Sequence, residues 1–146
     1  MKALLVVIAL AVGASGTVAG YKQQSAERGS SAAETTPAYG RLVLRKATVE
    51  SELAELSATV TYQHPSLEAK RFELRAIRRE MEKMRAVEES RVNNLSSAVG
   101  DLILSKVALE VELNGLMARL TPQHPEVAKK RDELAALERE IESVLQ

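Results

Sequence analysis

An all-α fold of two tandem antiparallel helical hairpins is predicted by three features of the sequence. Apolar residues recur at alternating three- and four-residue steps, the pattern repeats after sixty residues, and each copy is interrupted once by a Gln-His-Pro corner. Composition agrees. Leu, Ala, Val, Glu, Lys and Arg dominate, with one Phe, three Tyr and no Trp, as in chains whose core is a narrow aliphatic seam between helices.

The chain opens with Met1-Lys2, ten apolar residues from Ala3 to Val12, and a small-residue stretch from Gly13 to Gly20. Residues 1–20 therefore read as a membrane-targeting segment, and two forms of it stand side by side. One is a secretory signal peptide with cleavage points after Ala14, Gly16 or Ala19. The other is a retained N-terminal anchor, a transmembrane helix of about 17 residues from Ala3 to Ala19, near the lower limit for spanning hydrocarbon. Tyr21 and Lys22 would then lie at the far interface, and Gly16 and Gly20 have a spacing that lets two such helices approach. Residues 21–37 are rich in Ser, Ala, Glu and Gln without an apolar period, and read as a flexible linker, with folding expected from Pro37 onward.

Shifting the sequence by sixty superposes Gln63-His64-Pro65 on Gln123-His124-Pro125. Over residues 40–84 against 100–144 it gives 21 identities. The chain is thus a tandem duplication, with hairpin repeat 1 over 38–90 and hairpin repeat 2 over 91–146. In the first copy the coiled-coil seam is Leu42, Val49, Leu53, Leu56, Leu74 and Ile77, with Lys46 at one seam position. Leu102, Leu109, Leu113, Leu116, Leu134 and Leu137 repeat it in the second. Proline suits the first position of a helix and pushes the preceding residue out of helical conformation. His64 and His124 accordingly fall at helix caps within the hairpin turns.

A hairpin requires facing seam residues to have nearly constant summed positions. Leu42 with Met84, Val49 with Ile77 and Leu53 with Leu74 meet that condition, as do Leu102 with Val144, Leu109 with Leu137 and Leu113 with Leu134. The same register predicts ion pairs Glu55 to Arg71, Glu52 to Arg75, Lys46 to Glu80 and Lys106 to Glu140. Each helix should run about 22 residues, roughly 33 Å. Between the copies, residues 87–100 carry two seams out of phase by one residue. The join is either a loop near Asn93-Asn94, giving a compact four-helix bundle, or a skip within a long central helix, giving an elongated rod about 80 Å long. A seam this narrow leaves apolar surface wet, so a homo-oligomer or another helical partner is expected.

Lys+Arg and Asp+Glu balance at 20 each, so no net field draws the chain to nucleic acid. With no Cys, disulfides and thiolate chemistry are excluded. No catalytic residue, cofactor or metal ligand is expected. The sequence has no Gly-rich phosphate loop and no activated nucleophile, and carboxylates spread along helix faces lack a cleft to shift their pKa. The basic run Lys70, Arg71, Arg75, Arg78 and Arg79 is interleaved with Glu68, Glu73, Glu80 and Glu82, and reads as a salt-bridged solvent face. Met81 and Met84 read as gap-filling core. A rival to the structural reading is a periplasmic ligand or metal binder using the two His-Pro turns, although neither histidine has a second ligand nearby in sequence.

The run through Leu56, Tyr62, His64, Pro65, Leu67, Leu74 and Ile77 carries a resemblance. It recurs through Leu116, Thr121-Pro122-Gln123-His124-Pro125, Val127, Leu134 and Leu137. It resembles the periplasmic coiled-coil stalks of the exopolysaccharide chain-length-determinant (polysaccharide co-polymerase) family, in which a similar turn joins two long antiparallel helices. The likeness covers about 110 residues. These 146 residues carry neither that family's second transmembrane segment nor its membrane-proximal α/β domain nor a kinase region. The resemblance implies a bacterial cell-envelope location, either anchored in the inner membrane facing the periplasm or exported after signal cleavage. It also implies oligomeric assembly and a link to exopolysaccharide assembly or export.

Overall fold

The computed structural model describes residues 31–145, so the targeting segment and residues 21–30 of the expected linker lie outside the described residues. Four helices of nearly equal length follow one another: α1 over Pro37–Thr59, α2 over Pro65–Arg85, α3 over Ser97–Met117 and α4 over Pro125–Leu145. No strand interrupts them among the described residues. The helix starts follow local chemistry. The Thr36 hydroxyl accepts from the Tyr39 N–H with Pro37 in the first turn, and the Ser96 hydroxyl accepts from the Val99 N–H. Each satisfies a donor that the first helical turn leaves without an intrahelical partner.

Of the two arrangements left open by the sequence, the compact one forms. A bend over 86–96, with a 3-10 turn at Glu89–Asn94, separates α2 from α3 and folds α3 back against both α1 and α2. Leu95 anchors the bend. Its side chain is buried and its carbonyl accepts from the Ala38 N–H at 3.3 Å. The reversal makes α2 and α3 antiparallel and α1 and α3 parallel, so both Gln-His-Pro turns stand at one end of the bundle. The other end, where α1 begins and α2 turns into α3, is its base.

The last seven residues of the expected linker, 31–37, are folded rather than loose. Ala32–Thr35 form a 3-10 turn, Ala33 is fully buried, and Ser31 donates to the Arg85 carbonyl. Arg85 holds this segment by pairing with Glu34 at 2.6 Å and bonding the Tyr39 hydroxyl at 2.6 Å. The small side chain of Ala33 supplies burial that periodicity cannot signal over so short a stretch.

One apolar cluster joins the two hairpins at the base: Leu42 and Val49 of α1, Ile77, Met81 and Met84 of α2, Ile103 and Val107 of α3, and Ile141 of α4. Toward the turns the hairpins separate, leaving an open groove of about 670 Å³ between the start of α2 and the end of α3. Helix α4 packs mainly on α3, touches the 3-10 turn Glu89–Asn94 at the base, and buries only Val127 and Ile141.

The expected ion-pair register is corrected. None of Glu55 to Arg71, Glu52 to Arg75, Lys46 to Glu80 or Lys106 to Glu140 forms. Glu52 instead takes Lys70 at 2.5 Å, and Glu73 takes Lys70 at 3.0 Å together with Arg45. Shifted by sixty, the same arrangement recurs, with Lys130 bonding Glu112 at 2.9 Å and Glu133 at 3.0 Å. All three residue types are shared by both copies, whereas Glu55 and Arg75 become Gly115 and Ala135. Constant summed positions align Cα atoms, while long side chains reach a turn along the helix to the nearest opposite charge.

Candidate functional site

Chemistry-bearing side chains concentrate at two places, the turn end and the junction between hairpins. In each turn the histidine caps the returning helix. His64 Nδ1 accepts from the Ser66 N–H and His124 Nδ1 from the Glu126 N–H, both at 3.2 Å. Arg71 reaches back to donate to the Tyr62 carbonyl, and Arg131 does the same to the Pro122 carbonyl, again both at 3.2 Å. Arg71 also lies 4.0 Å over the exposed Tyr62 ring. Gln63, Pro65, Gln123 and Pro125 are exposed at these corners. Among the described residues no group of three or more His, Cys, Asp or Glu side chains is placed to hold a metal ion.

At the junction, Lys106 of α3 enters a ring of carboxylates. Its Nζ lies 3.0 Å from Glu80 of α2, 3.3 Å from Glu138 of α4 and 3.8 Å from Glu110 of its own helix. Lys106 and Glu80 side chains are each 7% exposed, which separates them from the surface pairs. Arg79 pairs with Glu110, and Lys83 with Glu80 at 3.0 Å. Burial pushes Lys106 down, but the Glu80 hydrogen bond and charge, with Glu138 and Glu110, outweigh it and raise its pKa. For Glu80, burial pushes upward and is overcome by the hydrogen bonds and charges of Lys106 and Lys83, so its pKa is lowered. Each partner is held in its charged form. That suits a fixed interhelical tie and is the opposite of the poised protonation that acid-base work requires. A groove of about 250 Å³ lies over this ring, lined by Met84, Ile103 and Ile141 among others.

Six residues earlier on α3, about 9 Å along the helix, the two hairpins touch backbone to backbone. A Cβ at Gly100 would stand 2.9 Å from the Ala38 Cα and 3.0 Å from its carbonyl oxygen, so glycine alone permits this approach. Arg41 and Asp101 bracket the contact at 3.5 Å.

Among the predicted seam residues, Leu42, Val49, Ile77 and Leu116 are buried, while Leu53, Leu56, Leu74, Leu102, Leu109, Leu113, Leu134 and Leu137 are half-buried. The structure brings Leu42, Val49 and Ile77 into the shared core, packs Leu53, Leu74, Leu102 and Leu137 against its margin, and leaves Leu109, Leu113 and Leu134 outside it. Sequence reasoning placed Val99 on one of the two seams that meet at the join but missed Ile103 and Val107, which with it make the stripe by which α3 meets hairpin 1. The signal was present. The run Leu102-Ile103-Leu104 followed by Val107, Leu109 and Val111 makes α3 apolar on more than one face, as expected of a helix packed on two sides.

Compared with protein-family models, with curated proteins and with solved structures, the chain finds no match.

Proposed function

We propose that this chain is a non-enzymatic structural or adaptor protein of the cell envelope that self-associates or bridges helical partners. The observation that carries the reading is the half-covered second hairpin: α4 leans mainly on α3, with a small contact to the 3-10 turn at the base, and Leu109, Leu113, Leu134 and Leu137 remain half-exposed. An apolar seam left in this state favours association. The side chains that could have performed chemistry are engaged in caps and interhelical ties, which supports a mechanical role.

No helix among the described residues is long and apolar enough to cross a membrane, so attachment rests on residues 1–20. Ser31 bonds Arg85 at the base, so the described chain begins at the end opposite the two turns. An anchored chain would then hold its base toward the bilayer and project both Gln-His-Pro corners away from it, the disposition of a stalk. The turn motif is what links this reading to exopolysaccharide assembly or export. The rival, a metal or ligand binder at the histidines, draws less support, because both Nδ1 atoms already accept backbone N–H groups.

Light scattering of the full chain in mild detergent, across a range of concentrations, tests the proposal. The expected result is a concentration-dependent mass above that of one chain. A monomer at every concentration that binds zinc, with binding abolished by His64→Ala and His124→Ala, would favour the rival instead.

A further inference from the structure

We propose that copies of this chain join head to tail, with α3 and α4 of one copy clasping α1 of the next as α1 and α2 clasp α3 within a single chain. The inference rests on the self-associating reading and names the surface that it uses.

The contact between hairpins is made by residues that the duplication carries in both copies. On hairpin 1 these are Ala38, Arg79 and Glu80; on hairpin 2 they are Gly100, Lys106 and Glu110. Shifted by sixty, the first set becomes Ala98, Arg139 and Glu140, and the second becomes Gly40, Lys46 and Glu50. All six are identical to their counterparts. Within one chain, however, each set is used only once. A single chain uses the clasping face of hairpin 1 and the clasped face of hairpin 2, and leaves the clasping face of hairpin 2 and the clasped face of hairpin 1 open.

Side-chain environments agree with two vacant faces. Ile103 is 3% exposed and its counterpart Val43 is 43% exposed. Ala76 and Val107 are buried, whereas Ala136 and Ala47 are exposed. A Cβ at Gly100 would strike Ala38, while a Cβ at Gly40 meets nothing within 4 Å. Arg79 and Glu80 are both paired across the junction. Arg139 and Glu140 are exposed and have no ion-pair partner among the described residues, Arg139 donating only to the Ala135 carbonyl.

The open faces are complementary in charge. Glu140 would meet Lys46 of the next copy as Glu80 meets Lys106, and Arg139 would meet Glu50 as Arg79 meets Glu110, joining the ties that Glu50 already makes to Lys46 at 2.9 Å and Arg78 at 3.0 Å within one chain. Asp101 and Arg41, unlike residues of the two copies, would exchange places and remain opposite in sign. An interface that joins two different faces propagates into a ring or a filament rather than closing as a symmetric dimer.

Sedimentation and light scattering of the full chain in mild detergent test the contact through three variants, with circular dichroism as the check on folding. Gly40→Gln, which has open space within one chain, should abolish assembly at unchanged helicity. Glu140→Lys should weaken assembly by roughly tenfold or more, because it sets like charges together. Adding Lys46→Glu to Glu140→Lys should restore it. Oligomers indifferent to all three variants overturn this interface while leaving self-association standing. A chain that is monomeric at every concentration, as it would be if residues 1–30 covered the face themselves, overturns both.

Discussion

The Cα of Ala38 lies 2.9 Å from the position that a Cβ on Gly100 would occupy, whereas its duplicate Gly40 faces open space. Two identical residues in equivalent helices are therefore under opposite constraints. At Gly100 an added methyl meets backbone, which cannot swing aside, and the overpacking cost of about 1–3 kcal/mol exceeds the helix-propensity gain of about 1 kcal/mol. At Gly40 only the gain remains. Thermal unfolding of the monomer should show Gly100→Ala destabilising and Gly40→Ala stabilising by about 0.5–1 kcal/mol. Shifts of the same sign at both positions would contradict the parallel packing of α1 on α3.

The buried pair between Lys106 and Glu80 predicts strong non-additivity. Removing either partner leaves a desolvated charge that Glu138, Glu110 or Lys83 only partly compensates. Glu80→Gln and Lys106→Met should each cost about 1–3 kcal/mol. The double replacement Glu80→Leu with Lys106→Leu should recover most of that loss, since burying two apolar groups avoids the desolvation of two ions. A denaturant-unfolding double-mutant cycle checks it, and additive losses would show that the pair does not act as a unit.

Acid should act on the same tie. Glu80 has its pKa lowered in the folded chain from an ordinary 4.5, so its contribution is complete above 4.5 and is lost as pH falls through the lower folded value. Lys106 is raised from 10.5, so its contribution is complete below 10.5 and is lost only as pH rises through the higher folded value. Between those limits the tie contributes a constant amount. The melting temperature followed from neutrality downward should hold until about 4.5 and then fall, and Glu80→Gln should make that fall shallower. An unchanged acid limb in the variant would mean that other carboxylates carry it.

The hairpins were legible because their determinants are local. A proline that must open a helix, a histidine before it and a three-four apolar period are all readable within one copy, and the chain does reverse at residues 61–64 and 121–124. The junction was harder to read for a physical reason. Lys106 was expected to pair with Glu140 of its own copy and instead takes Glu80 of the other. Copies that share this glutamate offer two equally charged partners at the same register, and only the bend at 86–96 decides which lies nearer. That bend depends on Leu95 tucking beneath Ala38, a contact between residues far apart in sequence.

The second apolar stripe of α3 yields a contrast between duplicated positions. Ile103 is buried in the shared core, so Ile103→Ala should cost about 2–4 kcal/mol through lost burial and a residual cavity. Its counterpart Val43 is 43% exposed, and Val43→Ala in the monomer should stay within about 0.5 kcal/mol. Chemical denaturation at dilute concentration measures both, and comparable losses would place Val43 in a core that the described fold does not give it.

The histidines provide the last separation between structural and binding roles. Each Nδ1 accepts the N–H two residues on, a service that asparagine or aspartate at a helix start performs equally well. His64→Ala and His124→Ala should each destabilise by about 0.5–1 kcal/mol, while His64→Asn and His124→Asn should retain nearly full stability. The two turns belong to separate hairpins that part at this end, so the losses should add. A side chain needed for an imidazole-specific task would behave differently. Asn would then rescue the fold without rescuing function, and a stability assay run beside a complementation assay of the paired variants distinguishes a cap from a ligand. If Asn restores both, the Gln-His-Pro corner is explained by the mechanics of the turn alone.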